Sequence, residues 1–203
     1  MMSDSFLYQP HVRESDGVLT PDLVVDRLAL ARASDPDPTL PLPINLLSCA
    51  TEIQQLGDTA CGSVALVVIA AGRGAVVTVG SDHWDPALAK TGGPAHQTCA
   101  KPVSREAIRL NDCGADAEFV LRTFHIRNGA VTLTGETKLG GEVPLGSIVS
   151  FGSGGSEPPV RSALFISAEH RDADVGLADG YRVELEHSKS NTRLECAYRV
   201  RRL

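Results

Sequence analysis

The feature of this sequence that most restricts its fold is an Asn-Gly dipeptide between two runs of β-forming residues. Asn128 and Gly129 separate residues 119–126 from residues 130–137, and both runs are rich in β-branched side chains. Asn-Gly favours the two-residue type I′ turn, because both of its residues adopt positive φ at little cost. We therefore predict an antiparallel hairpin at this point, as part of a larger sheet.

A second hairpin is predicted near the C-terminus. In residues 181–187, Tyr181, Val183 and Leu185 alternate with charged residues, and residues 192–201 repeat the alternation after a short polar turn. A period of two places apolar side chains on one face of a sheet and charged side chains on the other. One face of this hairpin is therefore expected to lie in the core, and the other in water.

Two apolar runs predict the centre of the sheet. Residues 64–70 are apolar on both faces, which is typical of a strand that is covered on two sides. Residues 75–79 form a second strand, joined to the first through a glycine-containing turn. We expect this pair to lie at the centre of the fold.

Signals for helices are few. Thr20, Pro21 and Asp22 supply an N-cap, an N1 proline and an acidic first turn, and helical spacing of apolar residues predicts a helix over residues 21–33. A shorter helix is predicted over residues 104–110. The predicted fold class is therefore mostly β (α+β), with one or two short helices.

The chain is long enough for one core. Its 203 residues, of which 42% are hydrophobic, are typical of a single domain. Residues 35–43 contain four prolines and are expected to be extended. We interpret residues 1–40 as an N-terminal arm, a helix and a proline-rich connector, and residues 41–203 as one β-rich domain. The glycine-rich segment 152–156 lacks the ending of a nucleotide-binding loop and is interpreted as a turn or flap.

Charge and cysteine content exclude several classes of function. The formal net charge is −6, and no basic run is long enough to follow a phosphate backbone, so a nucleic acid partner is not expected. We expect no membrane contact, because no apolar run reaches the length of a membrane span. Five cysteines without a Cys-x-x-Cys pair argue against a disulfide or zinc scaffold and favour a cytoplasmic location.

A cluster of polar side chains follows the second central strand. Gly80 ends the predicted strand, and Asp82, His83 and Asp85 come after it, around the single tryptophan, Trp84. Strand ends often carry functional groups, because the sheet holds them rigidly. The alternative interpretation is structural, since short polar residues before a proline also begin a helix and cap its first turn.

A second polar group begins at His96 and includes Lys101. A Gly-Gly-Pro turn at residues 92–94 allows this segment to return past the strand end. Histidine exchanges a proton near neutral pH, and a neighbouring carboxylate can orient its ring. We therefore predict one acid–base site, in which the catalytic residues are Asp82, His83, Asp85 and His96.

The runs Gly-Ser-Asp-His-Trp-Asp at residues 80–85 and His-Gln-Thr-Cys-Ala-Lys-Pro at residues 96–102 resemble motifs of a bacterial family of unknown function, the domain-of-unknown-function 2848 family. That family is similar to the fumarylacetoacetate hydrolase superfamily. The resemblance extends in order from Pro41 to the C-terminus and implies a mixed β-sheet roll and a homodimer. It also implies reactions through an enolate, and it places Asp82 where the superfamily has a carboxylate ligand for a divalent metal.

Two departures from this pattern concern the metal. The superfamily's other two ligands form a Glu-x-Glu pair on the preceding strand, where this chain has Ser63 and Ala65. The lysine before the glutamine of the family's motif is His96 here. Because a hard cation needs several oxygen ligands, we predict that metal binding is weak or absent and that the chain uses no cofactor.

These observations predict a small-molecule enzyme that acts on a 2-oxo acid or β-dicarbonyl compound through an enolate, without a metal. The reactions considered are C–C hydrolysis, decarboxylation, hydration, isomerisation and cyclisation. The alternative is a non-catalytic ligand- or partner-binding protein that kept the fold. The predicted substrate-binding residues are Gln97, Lys101, Arg109 and Ser167, the last because the superfamily contacts its substrate at that position. Of the other histidines, His125 is expected at a core or edge position and His187 in solvent.

Overall fold

The computed structural model describes residues 6–8, 11–12, 23–32, 35–55, 58–71, 74–114, 117–140, 161–167 and 178–203. These residues form strands, two short α-helices and a single 3-10 turn at Ile44–Leu46. The strands are β1 (Phe6–Tyr8), β2 (His11–Val12), β3 (Leu23–Val25), β4 (Arg27–Arg32), β5 (Asp35–Leu42), β6 (Leu47–Ser48), β7 (Glu52–Gln55), β8 (Cys61–Ala71), β9 (Gly74–Trp84), β10 (Lys101–Pro102), β11 (Glu106–Arg109), β12 (Glu118–Arg127), β13 (Ala130–Gly140), β14 (Ser162–Ser167), β15 (Gly180–His187) and β16 (Thr192–Arg202). The helices are α1 (Pro86–Lys90) and α2 (Leu110–Cys113).

Two large sheets carry most of these strands. One has seven strands in the order β2-β11-β9-β8-β14-β4-β5, and the other has five in the order β13-β12-β15-β16-β7. Two small sheets, β1-β3 and β10-β6, complete the described part of the chain. Both parallel and antiparallel pairs occur, because β4 runs parallel to β14 and antiparallel to β5. The fold is therefore mostly β with mixed sheets, which confirms the predicted class.

Strand β8 lies at the centre of the larger sheet, and its alternation divides the core into two layers. Val64, Leu66 and Val68 pack in the layer that also contains side chains of the five-stranded sheet. Ala65 and Val67 face the opposite layer. Burying one Val or Leu side chain contributes about 1.5–3 kcal/mol, so a strand covered on both faces is strongly held. The prediction of a central strand is confirmed.

Both predicted hairpins are present. β12 and β13 pair antiparallel around Asn128 and Gly129, whose φ angles of 49° and 78° are those of a type I′ turn. β15 pairs antiparallel over its full length with residues 192–199 of β16, with Tyr181 opposite Tyr198. Alternation places the apolar residues of this second hairpin inside, as predicted.

The helix predicted over residues 21–33 is wrong. Its described residues, 23–32, contain β3 and β4, and β4 lies between β5 and β14 in the larger sheet. Leu28 and Leu30 alternate into the core, and pairing on both sides outweighs the local helix signal. The helix predicted over residues 104–110 is also wrong, because β11 occupies most of that range and α2 begins at Leu110.

The second central strand is longer than predicted. β9 continues past Gly80 to Trp84, because its residues through Trp84 pair with the first residues of β8. The polar cluster is therefore built into the strand and does not follow it. This difference decides which side chains can meet, since neighbouring residues of a strand point to opposite faces.

Several predictions are left open by the structure. The division of the chain at residue 40 stays a prediction, as does a cytoplasmic location. The glycine-rich segment 152–156 and the first five residues of the predicted arm lie outside the described residues. Within the described ranges, no helix has the length and apolar character needed to cross a membrane.

Candidate active site

The end of β9 presents two different polar environments, one on each face of the sheet. Asp82 shares the face of Ala65 and Val67, because Ser63 lies directly opposite it on β8. His83, the next residue, points into the layer between the two large sheets, where its ring contacts Tyr181. The alternation of the strand thus separates two residues that are adjacent in sequence.

Asp82 is the centre of the first environment. Its side chain is 2% exposed, and one carboxylate oxygen lies 3.1 Å from Lys101 Nζ. His96 Nδ1 lies 3.1 Å from both carboxylate oxygens. Burial by itself raises the pKa of this carboxyl, but the hydrogen bond from His96 and the charge of Lys101 outweigh burial, so the pKa of Asp82 is lowered. Asp82 is therefore a buried, ionised carboxylate.

Lys101 supplies the positive charge behind this carboxylate. Its side chain is fully buried, and its ammonium donates hydrogen bonds to Asp82 and to the backbone carbonyl of His83. The residue belongs to β10, which pairs parallel to β6 and brings Lys101 opposite Leu47. A buried lysine is stable when it is paired and hydrogen-bonded in this way.

His96 is more exposed than Asp82 and Lys101. It follows α1 in the segment that leads to β10, and 18% of its side chain is exposed. Its ring stacks on Trp84, with the ring centroids 5.5 Å apart and the planes 13° from parallel. Nδ1 is held by Asp82, and no described residue forms a hydrogen bond with Nε2. The ring therefore has a fixed orientation and one nitrogen that the described part of the chain leaves unbound.

His83 belongs to the buried environment on the other face. Nδ1 lies 3.1 Å from the hydroxyl of Tyr198, and Nε2 lies 3.0 Å from Oε1 of Gln55. Burial, and to a smaller extent the charge of Lys101, lowers the pKa of His83 to about 3. The ring is therefore neutral and enclosed. The hypothesis that His83 and His96 act in one site is wrong, because the strand alternation sends them to opposite faces.

Asp85 caps a helix. Oδ1 accepts hydrogen bonds from the backbone N–H groups of Ala87 and Leu88 and from the hydroxyl of Thr59, at 2.8, 3.3 and 2.7 Å. Burial raises the pKa of Asp85, but these hydrogen bonds outweigh burial and lower it. These bonds cap the start of α1, which is the structural role that the sequence analysis gave as the alternative.

The predicted substrate-binding residues are separated. Gln97 donates a hydrogen bond to the carbonyl of Pro41, 3.2 Å away, and so ties the loop to β5. Arg109 pairs with Val76, six residues before Asp82 on β9 and roughly 20 Å from it along the strand. Ser167 pairs with Ala65, which places it on the face of Asp82 but two strands away. The structure brings Lys101 to Asp82 and leaves Arg109 far from it.

Sequence reasoning missed the residues that hold His83. Tyr198 and Gln55 hold His83 from distant parts of the chain and carried no local signal. His125 is buried, which agrees with the predicted core position. His187 is also buried, so the prediction that it lies in solvent is wrong. His187 is enclosed because it contacts Ser190 and the carbonyl of Cys113.

The residues present do not fit a divalent metal. Positions 63 and 65 share the face of Asp82 but carry a hydroxyl and a methyl group, and both oxygens of Asp82 already accept hydrogen bonds from His96 or Lys101. In the described part of the chain, no three His, Cys, Asp or Glu side chains are arranged to hold a metal ion. One buried carboxylate beside an ammonium is a poor ligand set for a hard cation.

Comparison with known proteins identifies the family. A profile described as "Protein of unknown function (DUF2848)" matches residues 24–198. The chain belongs to this family. No curated protein matches it. The DUF2848 match includes all of β4 and two of the three residues of β3, the two strands that local signals had predicted as helix.

Solved structures show the fold of this DUF2848 protein. A crystal structure of Cg1458 is similar with a TM-score of 0.64 and 12% identity, over 88% of this chain and 77% of that one. A 2-keto-3-deoxyarabinonate dehydratase follows with a TM-score of 0.58 and 13% identity, over 88% and 74%. A maleylpyruvate hydrolase from Sphingobium sp. SYK-6 has a TM-score of 0.56 and 11% identity, over 91% and 74%. The shared fold is of the fumarylacetoacetate hydrolase type, in a divergent form.

Proposed function

We propose that this protein is a small-molecule enzyme in which His96 is the general acid and base. The observation that carries the proposal is the arrangement of Asp82, His96 and Lys101. A buried ionised carboxylate fixes one nitrogen of a partly exposed histidine, and no residue in the described ranges binds its other nitrogen. Positioned imidazoles of this kind contribute about 10²–10⁴-fold to proton-transfer reactions.

The roles of the three residues follow from their contacts. The Nδ1–H group of His96 donates a hydrogen bond to Asp82, so the lone pair of the neutral ring lies on Nε2. In decarboxylation the ring is already protonated, and the enolate forms as carbon dioxide leaves. In the other reactions Nε2 removes a proton, from the carbon next to a carbonyl group or, in hydrolysis and hydration, from water. The imidazolium that results is stabilised by Asp82, and Lys101 keeps Asp82 ionised throughout. The same nitrogen then returns the proton to another atom of the substrate.

The proposed substrate is a 2-oxo acid or β-dicarbonyl compound. Such a substrate reacts through an enolate, and the protonated ring of His96 stabilises its negative charge. The names of two similar structures support this class, since one is a dehydratase of 2-keto-3-deoxyarabinonate and the other hydrolyses maleylpyruvate. The proposed reaction is C–C hydrolysis, decarboxylation, hydration, isomerisation or cyclisation, without a metal or other cofactor.

A second candidate function is ligand or partner binding without catalysis. One observation favours it: Asp82 and Lys101 are both buried and neutralise each other, as in a structural ion pair. The two functions differ in the role of His96. A binding protein needs no free nitrogen on this ring, whereas a general base does.

Deuterium exchange tests the proposal directly. The wild-type protein in D₂O should incorporate deuterium next to the carbonyl of one or more members of a panel of 2-oxo acids and β-dicarbonyls, measured by proton NMR. His96→Gln and Asp82→Asn should slow this exchange by about 10²–10⁴-fold, because each removes the oriented base. Lys90→Ala, on the exposed side of α1, should leave the rate unchanged.

Two results would contradict the proposal. Wild-type protein that binds members of the panel but exchanges none of their protons would favour the binding protein. Full exchange by His96→Gln would show that another group is the base.

A further inference from the structure

We propose that Lys101 is a built-in cation that occupies the place beside Asp82 where a protein of this fold could hold a divalent metal. The positive charge at this end of the sheet would thus belong to a side chain of the protein and not to a bound ion. This inference rests on contacts within the chain and is independent of which reaction the site performs.

The Lys101 ammonium is held by oxygens, as a metal ion would be. It donates to a carboxylate oxygen of Asp82 at 3.1 Å and to the carbonyl of His83, and its side chain is fully buried. Backbone hydrogen bonds hold the segment that carries Lys101 to a strand on either side. Val103 N–H donates to Ser48 at 2.9 Å, which holds β10 to β6.

A second backbone bond joins this segment to β9. Ser104 N–H donates to the carbonyl of Val79 at 2.9 Å, and Val103 forms an isolated bridge with Gly80. The chain is therefore attached to β9 at Val103 and Ser104, two and three residues after Lys101. The position of the ammonium is determined by the sheet and not by a mobile surface chain.

The charges near Lys101 suit one positive charge and not a divalent ion. Ser63 and Ala65 lie opposite Asp82 and Gly80, on the face from which further carboxylates would reach the same point. Neither carries a charge. Asp82 supplies one negative charge, and Lys101 supplies one positive charge. A divalent ion placed there would meet the ammonium at close range, with too few oxygens to compensate it.

The carboxylate of Asp82 has little capacity left for another ligand. Both oxygens lie 3.1 Å from Nδ1 of His96, and one of them also accepts from Lys101. An ion would have to displace one of these donors. The ammonium and the imidazole thus already engage both oxygens of the carboxylate.

Metal binding by variants of the full chain tests the inference. Metal-stripped wild-type protein should bind no Mn²⁺ or Mg²⁺ at physiological concentrations, measured by calorimetry. Ser63→Glu combined with Lys101→Met should bind one Mn²⁺ per chain, because two carboxylates and His96 then surround the vacated place. Ser63→Glu alone should bind at least about tenfold more weakly, since its new carboxylate pairs with Lys101.

Three results of this titration would overturn the inference. Binding of one metal ion per chain by the wild-type protein would show that Lys101 does not take the place of a metal. Equal binding by Ser63→Glu with and without Lys101 would place the metal elsewhere. A double variant that is folded by circular dichroism and binds no Mn²⁺ would show that this is not a cation position.

Chemical rescue tests the same point without a metal. Lys101→Ala removes the ammonium and its stem, and n-propylammonium has the length of the missing part. The amine should raise the melting temperature of Lys101→Ala by several degrees and should leave that of Lys90→Ala unchanged. If Lys101→Ala does not fold alone, the folded fraction should rise with amine concentration. A response equal to that of Lys90→Ala would overturn the inference.

Discussion

Lys101 and Asp82 form an ion pair that water does not reach. Exposed ion pairs contribute little, because solvent screens them and their side chains lose entropy on pairing. A buried pair behaves differently, since removal of one partner leaves the other charge without compensation. The pair 3.1 Å apart at the end of β9 is of this second kind.

At the residue scale we predict a strongly coupled pair. Lys101→Met should lower the free energy of unfolding by about 3–5 kcal/mol, because Asp82 then remains buried and charged. Adding Asp82→Asn to this variant should restore most of the loss. Urea denaturation at neutral pH measures both effects.

The matched control for this cycle is Lys138→Met. Lys138 lies 3.4 Å from Glu118, but 65% of its side chain is exposed, so the change should stay within about 0.5 kcal/mol. A double variant at Lys101 and Asp82 that is no more stable than Lys101→Met would contradict a buried charge pair.

At the element scale, the close approach of β10 to β9 depends on Gly80. A Cβ at this position would lie 2.7 Å from Phe165, 2.8 Å from Val67 and 2.9 Å from the carbonyl of Pro102. The side chains could adjust in part, but the carbonyl belongs to the backbone of β10. A larger residue would therefore push away the strand that carries Lys101.

We predict that Gly80→Ala damages both stability and the site. The clash should cost about 1–3 kcal/mol, and the displacement of β10 should change the environment of His96 and Trp84. Thermal unfolding measures the first effect. The emission spectrum of Trp84, the single tryptophan of the chain, reports the second.

Gly129→Ala is the control that separates these two effects. Gly129 has a φ of 78° in the hairpin turn, so alanine there should also cost roughly 1 kcal/mol, by backbone strain. It lies far along the chain from the site and should leave the Trp84 spectrum unchanged. Equal spectra for the two variants would show that β10 does not depend on Gly80.

At the scale of the whole molecule, the layer between the two sheets encloses a neutral histidine. The pKa of His83 is lowered to about 3 by burial and then by the charge of Lys101, against an ordinary value of 6.5. The unfolded chain therefore binds this proton at a higher pH than the folded chain does. Stability should be complete above about pH 6.5 and should fall as the pH falls toward 3.

The expected loss at pH 5 is about 2 kcal/mol, from roughly 1.4 kcal/mol for each pH unit below the ordinary value. Asp82 does not contribute in this window, because its lowered pKa makes its stabilising effect disappear only below about pH 4. Urea denaturation at pH 7.5 and pH 5 measures the loss. His83→Gln should be less stable at pH 7.5 but should lose less between the two pH values.

His125 also makes the stability of the His83→Gln variant depend on pH. Its pKa is also lowered, by burial and then by the charge of Arg127, so it adds to the loss in acid. Some dependence on pH should therefore remain in His83→Gln. A profile as steep as that of the wild-type protein would mean that His83 is not the enclosed neutral group described above.

The sequence by itself determined the elements whose signals are local. Asn128 and Gly129 require a turn of one type, and the alternation in β15 and β16 requires one buried face, so both hairpins could be predicted. The apolar residues of β8 require cover on two sides, which predicted its central place. Of the site, the sequence indicated Asp82, His96 and Lys101 as candidates, because their residue types suit acid–base chemistry.

The tertiary structure decided which of these residues meet. Residues 27–32 form a strand because β14 and β5 pair with them on either side, and no local pattern contains those partners. His83 is buried against Tyr198, 115 positions away in the chain. Lys101 meets Asp82 because β9 continues past Gly80 and β10 lies beside it. Local propensities act over a few residues, whereas strand pairing and the face of each side chain are set by partners distant in sequence.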